Sequence, residues 1–149
     1  NNKILYLFQD DQFTLITEAV GSGSNALHSV VYLFTLGAPY RWYPDPFGPY
    51  STVGPTLEAN LTNVEIVRGQ WHRYEFVINV GTFGTANGTY EAWIDGQKTH
   101  NFTGIMWRAA GAGPGNFTSL KWQPIWGGGS GTLTAAQWMY MDHMYVSGK

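Results

Sequence analysis

Residues Gly69–Gly96 read GQWHRYEFVINVGTFGTANGTYEAWIDG, and the alternation inside this stretch decides the fold class. From Trp71 to Val80, His72, Tyr74, Phe76, Ile78 and Val80 fall on one face, and Trp71, Arg73, Glu75, Val77 and Asn79 on the other. A period of two is that of a β-strand, whose successive side chains point to opposite sides. The first set is nearly all apolar, as a half-buried strand requires. Gly81–Gly88 is too rich in Gly, Thr and Asn to hold a regular element, and a second alternating run follows it. There Tyr90, Ala92 and Ile94 share one side, and Glu91, Trp93 and Asp95 the other. Asp95-Gly96 then supplies the two positive-φ positions of a type I′ turn, so Gln97–Phe102 is predicted to fold back antiparallel.

Two half-buried strands imply a sheet whose inner face packs on a second sheet and whose outer face is free to bind. If the strands pair, Arg73, Glu75, Asn79, Glu91 and Trp93 share that outer face. His72, on the apolar side, reads as a core histidine.

The remaining strands follow from shorter signals. Lys3–Phe8, Phe13–Glu18 and His28–Phe34 are apolar or β-branched runs separated by Asp10-Asp11 and by Gly21–Asn25, close to the spacing of an all-β sandwich or barrel. Phe117–Trp122 reads as a strand ended by Gln123-Pro124. Trp138–Ser147 (WMYMDHMYVS) has no cleanly polar face and reads as a central strand. Gly104–Gly115 reads as a loop interrupted by Met106, Trp107 and Arg108, and Thr132–Gln137 as a loop with one helical turn as the alternative. Gly37–Pro55 holds most of the prolines together with Tyr40, Trp42, Tyr43, Phe47 and Tyr50, so it is no central strand. Its rings either pin the loop to the sheets or stack on a ligand, which makes Trp42 and Tyr43 rim candidates.

Composition narrows the function classes. The 149 residues suit a single domain spanning 1–149, and the absence of cysteine removes disulfides, thiol nucleophiles and cysteine-based zinc sites. With 12 % charged residues, a formal charge of -2 and no basic cluster, the chain lacks the phosphate-neutralising surface that nucleic acid demands. No apolar run reaches the roughly 20 residues of a membrane helix, so no membrane insertion is expected. Asn60, Asn87, Asn101 and Asn116 each begin an Asn-x-Thr sequon, a pattern that also arises by chance in so Asn-, Thr- and Gly-rich a chain.

Gly69–Glu75, Asn87-Gly88, Trp93–Gly96, Gln123–Gly128 and Met141–Ser147 together resemble the concanavalin A-like lectin/glucanase superfamily, most of all its polysaccharide-lyase-like and laminin-G-like domains from bacterial secreted proteins and phages. The resemblance runs from about Lys3 to the C-terminus. It implies an antiparallel two-sheet jelly-roll sandwich with ligands on the concave face or in rim loops, and one or two further strands before Lys3. The expectation is therefore a C-terminal fragment of a longer chain, a sheet completed by a neighbouring chain, or a minimal jelly roll lacking N-terminal strands. An uncovered edge strand invites aggregation, so some cover is also expected.

The chemistry that the resemblance admits can be weighed on the residues. Retaining glucanases need two carboxylates about 5 Å apart. Glu91 and Asp95, four residues apart on one strand, would lie about 13 Å apart. A polysaccharide lyase needs a carboxylate neutraliser and a base, for which Arg73 and either His143 or Tyr145 are the right types; the Gln-Ile-His and Arg-Ser/Thr-Glu signatures of alginate lyases are absent. His143 also reads as an ordinary sheet histidine. The histidines lack zinc spacing, and Asp10-Asp11 leaves room for a structural calcium but reads first as a solvated turn. No other cofactor is expected.

The expectation is a non-catalytic module of an extracellular or virion-surface assembly that binds a polysaccharide or other glycan through Trp93, Arg73, Glu75, Glu91 and Asn79, with Trp42 and Tyr43 at the rim. Trp93 has a bland alternative, burial under a rim loop. The alternatives in function are a lyase acting on uronate-containing glycans and a purely structural capsid or filament subunit packing against other copies of the chain.

Overall fold

A computed structural model describes residues 2–9, 12–20, 27–33, 56–105, 107, 117–126, 136 and 138–148. It is all-β there. Eight strands form two antiparallel sheets: β1 (Asn2–Gln9), β2 (Gln12–Val20), β3 (His28–Leu33), β4 (Thr56–Glu58), β5 (Tyr74–Asn79), β6 (Gly88–Ile94), β7 (Gln97–Ile105) and β8 (Phe117–Trp126). One sheet has the order β4-β3-β2-β1-β8 and the other β5-β6-β7. Among the described residues there is no helix, and so none long and apolar enough to cross a membrane.

The alternation read from Gly69–Gly96 is realised as burial. Along β6, Gly88, Tyr90, Ala92 and Ile94 are buried and the residues between them half-buried; along β5, Tyr74, Phe76 and Ile78 turn inward while Glu75, Val77 and Asn79 are exposed. The inner residues of the small sheet meet Leu7, Leu15 and Val31 of the large one in a single core, with Phe117 and Leu120 of β8 packed against it. Each such side chain contributes roughly 1.5–3 kcal/mol on leaving water. Ala92 is the small residue that lets large ones converge. Its direct cross-strand partners are Phe76 and His100, and Tyr90, one step along the same face, lies 6.3 Å from Phe76 and 5.9 Å from His100 between ring centroids.

The hairpin turn is as its two residues demand. Asp95 and Gly96 have φ of 51° and 79°, which places Ile94 opposite Gln97 and carries β7 back through Ile105, beyond the predicted Phe102.

Four expectations need correction. β5 is shorter than the Trp71–Val80 run, and just before it His72 and Arg73 are drawn into the contacts described below. Gly104 and Ile105 belong to β7, and Trp107 is a core residue, 2 % exposed, whose indole N–H donates to Thr89 O at 3.2 Å. Gln123-Pro124 does not end β8: the strand continues to Trp126, with Lys3 opposite Ile125 and Leu5 opposite Trp122, so that Gln123 and Pro124 together face Ile4. A bulge on an edge strand is where a residue without an N–H is tolerated. Trp138–Ser147, finally, is no central strand. Its residues are exposed and outside any sheet, and the run is bent at His143, whose φ is 51° and whose N–H donates to Asp142 Oδ1 at 2.8 Å.

Asp10-Asp11, Gly21–Asn25, Gly37–Pro55 and all of Thr132–Gln137 except Ala136 lie outside the described residues. The edge of β7 is covered. Asn60 acts as a surrogate strand residue, its amide donating to Asn101 O at 2.9 Å and accepting from Asn101 N at 2.8 Å, while Leu61 N donates to Thr99 O at 3.1 Å.

Two tryptophans make the packing testable. Trp107→Ala should cost about 3–5 kcal/mol in chemical denaturation through the cavity it leaves. Trp138→Ala, at a side chain 79 % exposed, should stay within about 0.5 kcal/mol in protein dilute enough to be monomeric. Equal losses in the two variants would contradict this assignment of the core.

Candidate functional site

The antiparallel register turns the outer face of the small sheet into three rows. Glu75, Trp93 and Lys98 form the first, Val77, Glu91 and Asn101 the second, and Asn79, Thr89 and Thr103 the third. Trp93 is half-buried, with the Lys98 ammonium 5.1 Å from its ring centroid, a cation–π contact. Lys98 also pairs with Glu91, and Arg73 Nε lies 3.1 Å from Glu75 Oε2. Every charge in this group therefore has a partner of opposite sign beside it. The result is an indole set among hydrogen-bonding groups whose charges cancel.

Of the residues predicted for the site, the structure brings Arg73, Glu75, Glu91 and Trp93 onto one face. Asn79 shares it, but its side-chain carbonyl accepts from Gly81 N at 3.0 Å, an Asx turn that shapes the exit of β5. Trp42 and Tyr43 lie outside the described residues. His143 and Tyr145 are on the exposed C-terminal segment, where His143 Nδ1 lies 2.9 Å from its neighbour Asp142, and no hydrogen bond or ion pair links either to Arg73 among the described residues. Two other tyrosines, Tyr74 and Tyr90, share a hydrogen bond of 2.9 Å; burial pushes both phenols up, Tyr90 furthest, so they stay protonated at neutral pH. A phenol in that state takes no proton from a substrate. Among the described residues no group of three or more His, Asp or Glu side chains could hold a metal ion.

Lys98 escaped the sequence reading although a signal was there. Once Asp95-Gly96 is accepted as a two-residue turn, counting back pairs Ile94 with Gln97 and brings Trp93 opposite Lys98.

A clamp beside the face also escaped it. His72 is not a core histidine, since both ring nitrogens are engaged: Nδ1 lies 2.7 Å from Asp95 Oδ2, while Nε2 lies 2.9 Å from Val67 N and 3.1 Å from Val67 O. With Nδ1–H donating to Asp95, a neutral ring accepts from Val67 N–H at Nε2, and an imidazolium donates there to Val67 O. Asp95 further accepts from Arg73 N at 2.7 Å and donates its own N–H to Arg73 O at 2.9 Å. One turn residue thus fixes the start of β5, and with it the position of Arg73. Partial burial opposes charge on His72, but its hydrogen bonds to Asp95 and Val67, with the nearby carboxylate, outweigh this and raise its pKa above the ordinary 6.5. Asp95 is held below its ordinary 3.8, first by the hydrogen bond from His72 and then by that from the Arg73 backbone.

A stability profile follows from these directions. The contribution of His72 is whole below about pH 6.5 and fades as pH rises through its higher folded value; that of Asp95 is whole above about pH 3.8 and fades as pH falls through its lower folded value. The protein should gain most from the clamp between those limits and lose part of that gain as pH rises above about 6.5 through the higher folded value of His72. Denaturation midpoints across this range should show the loss in the wild type and not in His72→Gln. A wild-type profile parallel to that of the variant would refute the clamp.

Compared with known proteins, the chain matches no family model, no curated protein and no solved structure.

Proposed function

We propose that this protein is a non-catalytic, lectin-like module of the concanavalin A-like jelly-roll type, working in an extracellular or virion-surface assembly and binding carbohydrate on the outer face of β5-β6-β7. The observation that carries the reading is Trp93, held in the outer sheet face with Glu75 opposite it on one side and Lys98 on the other. An indole offers a pyranose a flat apolar surface at low entropic cost, and the surrounding carboxylates, ammonium and guanidinium supply acceptors and donors for ring hydroxyls. Because Arg73 is paired with Glu75 and Lys98 with Glu91, the face carries no surplus charge, which favours a neutral sugar over a uronate. The jelly-roll assignment draws support from two antiparallel sheets around one core, with β8 returning to lie beside β1.

A second reading, a structural subunit that packs against other chains, is favoured by the seven large apolar side chains exposed between Trp138 and Val146.

Screening neutral and uronate polysaccharides against the wild type and Trp93→Ala separates these functions. Binding of a neutral glycan without turnover, weakened at least tenfold (about 1.4 kcal/mol) in the variant, is the expected result. Release of unsaturated uronate product would establish a lyase instead, and binding unaffected by Trp93→Ala would move the site elsewhere.

A further inference from the structure

Among the described residues, the chain holds an apolar segment without a sheet and a sheet edge without a strand. In residues 138–148, Trp138, Tyr140, Tyr145 and Val146 are 79 %, 72 %, 85 % and 65 % exposed, and Met139, Met141 and Met144 are exposed as well. A run of apolar residues in which no face is cleanly polar is the pattern of a strand covered on both faces, not of a solvated one. The only charged or titrating side chains among them besides the tyrosines, Asp142 and His143, are paired with each other.

The edges of the two sheets are not equivalent as acceptors. β7 is closed by Asn60 and Leu61. β8 is bulged at Gln123-Pro124, where one N–H is missing. β4 has three residues, whereas β5 has six, pairs with β6 alone among the described residues, and runs regularly through Tyr74–Asn79 without bulge or proline. Its exposed side chains include Val77, with Trp71 just before it and Phe83 just after, at 54 %, 70 % and 45 % exposure. A regular edge with apolar residues alongside is the kind that recruits another strand.

We infer that Trp138–Val146 of one copy adds as a strand to the β5 edge of a second copy, forming a homodimer by reciprocal exchange or a chain by successive addition. The left-handed backbone at His143 sits in that strand as a bulge, the conformation that lets a strand bend while its flanks stay paired. The occupant is a second copy because one chain supplies both halves of the contact and, among the described residues, does not join them itself. The inference is independent of carbohydrate binding.

The absence of native cysteine makes the contact directly testable. Val77→Cys and Tyr145→Cys both fall on exposed side chains, so each variant should keep the fold, checked by circular dichroism. Mixed and treated with a short bismaleimide, they should give heterotypic dimers several-fold above the products of either variant alone. Sedimentation equilibrium of the wild type should show the mass at least doubling with concentration. A wild type that stays monomeric at all concentrations would overturn the inference, as would self-association without the heterotypic cross-link.

Discussion

Burial of Tyr90 between the two sheets is the constraint on which the rest depends. It is wholly shielded from water, its ring meets Phe76 and His100 on the neighbouring strands, and its hydroxyl finds Tyr74. Because strand side chains alternate, the register that points Tyr90, Ala92 and Ile94 inward must point Glu91 and Trp93 outward; a slip of one residue would drive a carboxylate and an indole into the core. The candidate binding face is in this sense a by-product of core packing. Trp93 is offered to solvent by the same period that hides Tyr90.

The Asp95-Gly96 turn fixes the second coordinate. Its two positive φ values set a two-residue hairpin, which selects Lys98 as the partner of Trp93 and brings Glu91 within reach of the same ammonium. The Asp95 side chain then works in the opposite direction, gripping the backbone of Arg73 and the ring of His72. A residue chosen for its tolerance of left-handed backbone thus anchors the segment between the sheets, since His72 in turn holds Val67, and Ile66 N bonds Leu27 O at 2.7 Å just before β3.

Polar groups also manage the edges. Asn60 satisfies the donor and acceptor of Asn101 with a side-chain amide, closing β7 without adding a strand. The same amide belongs to a sequon, and the amide of Asn87 is likewise engaged, accepting from Thr82 N at 2.8 Å and donating to Thr82 Oγ1 at 3.1 Å. A glycan on either would compete with these structural bonds, whereas the exposed Asn101 side chain carries no such duty among the described contacts.

Local pattern by itself determined the strands β1, β2, β3, β5, β6 and β7, the hairpin, and the membership of Arg73, Glu75, Glu91 and Trp93 in one face, because a two-residue period and a turn dipeptide act over a few neighbouring residues. Tertiary structure decided what depends on partners distant in the chain. β4 is three residues with no periodic signal, and exists because β3 offers it an edge. β8 runs through Pro124 because the strand lies at the edge of its sheet, and Trp107 left the predicted loop for the core because Phe117 and Thr89 receive it. His72 moved from expected core to clamp for the same reason, its partner Asp95 lying 23 residues away. Trp138–Ser147 shows the limit from the other side: its composition is that of a buried strand, but a strand also needs a neighbour to take its backbone hydrogen bonds, and composition cannot say whether that neighbour belongs to the same chain.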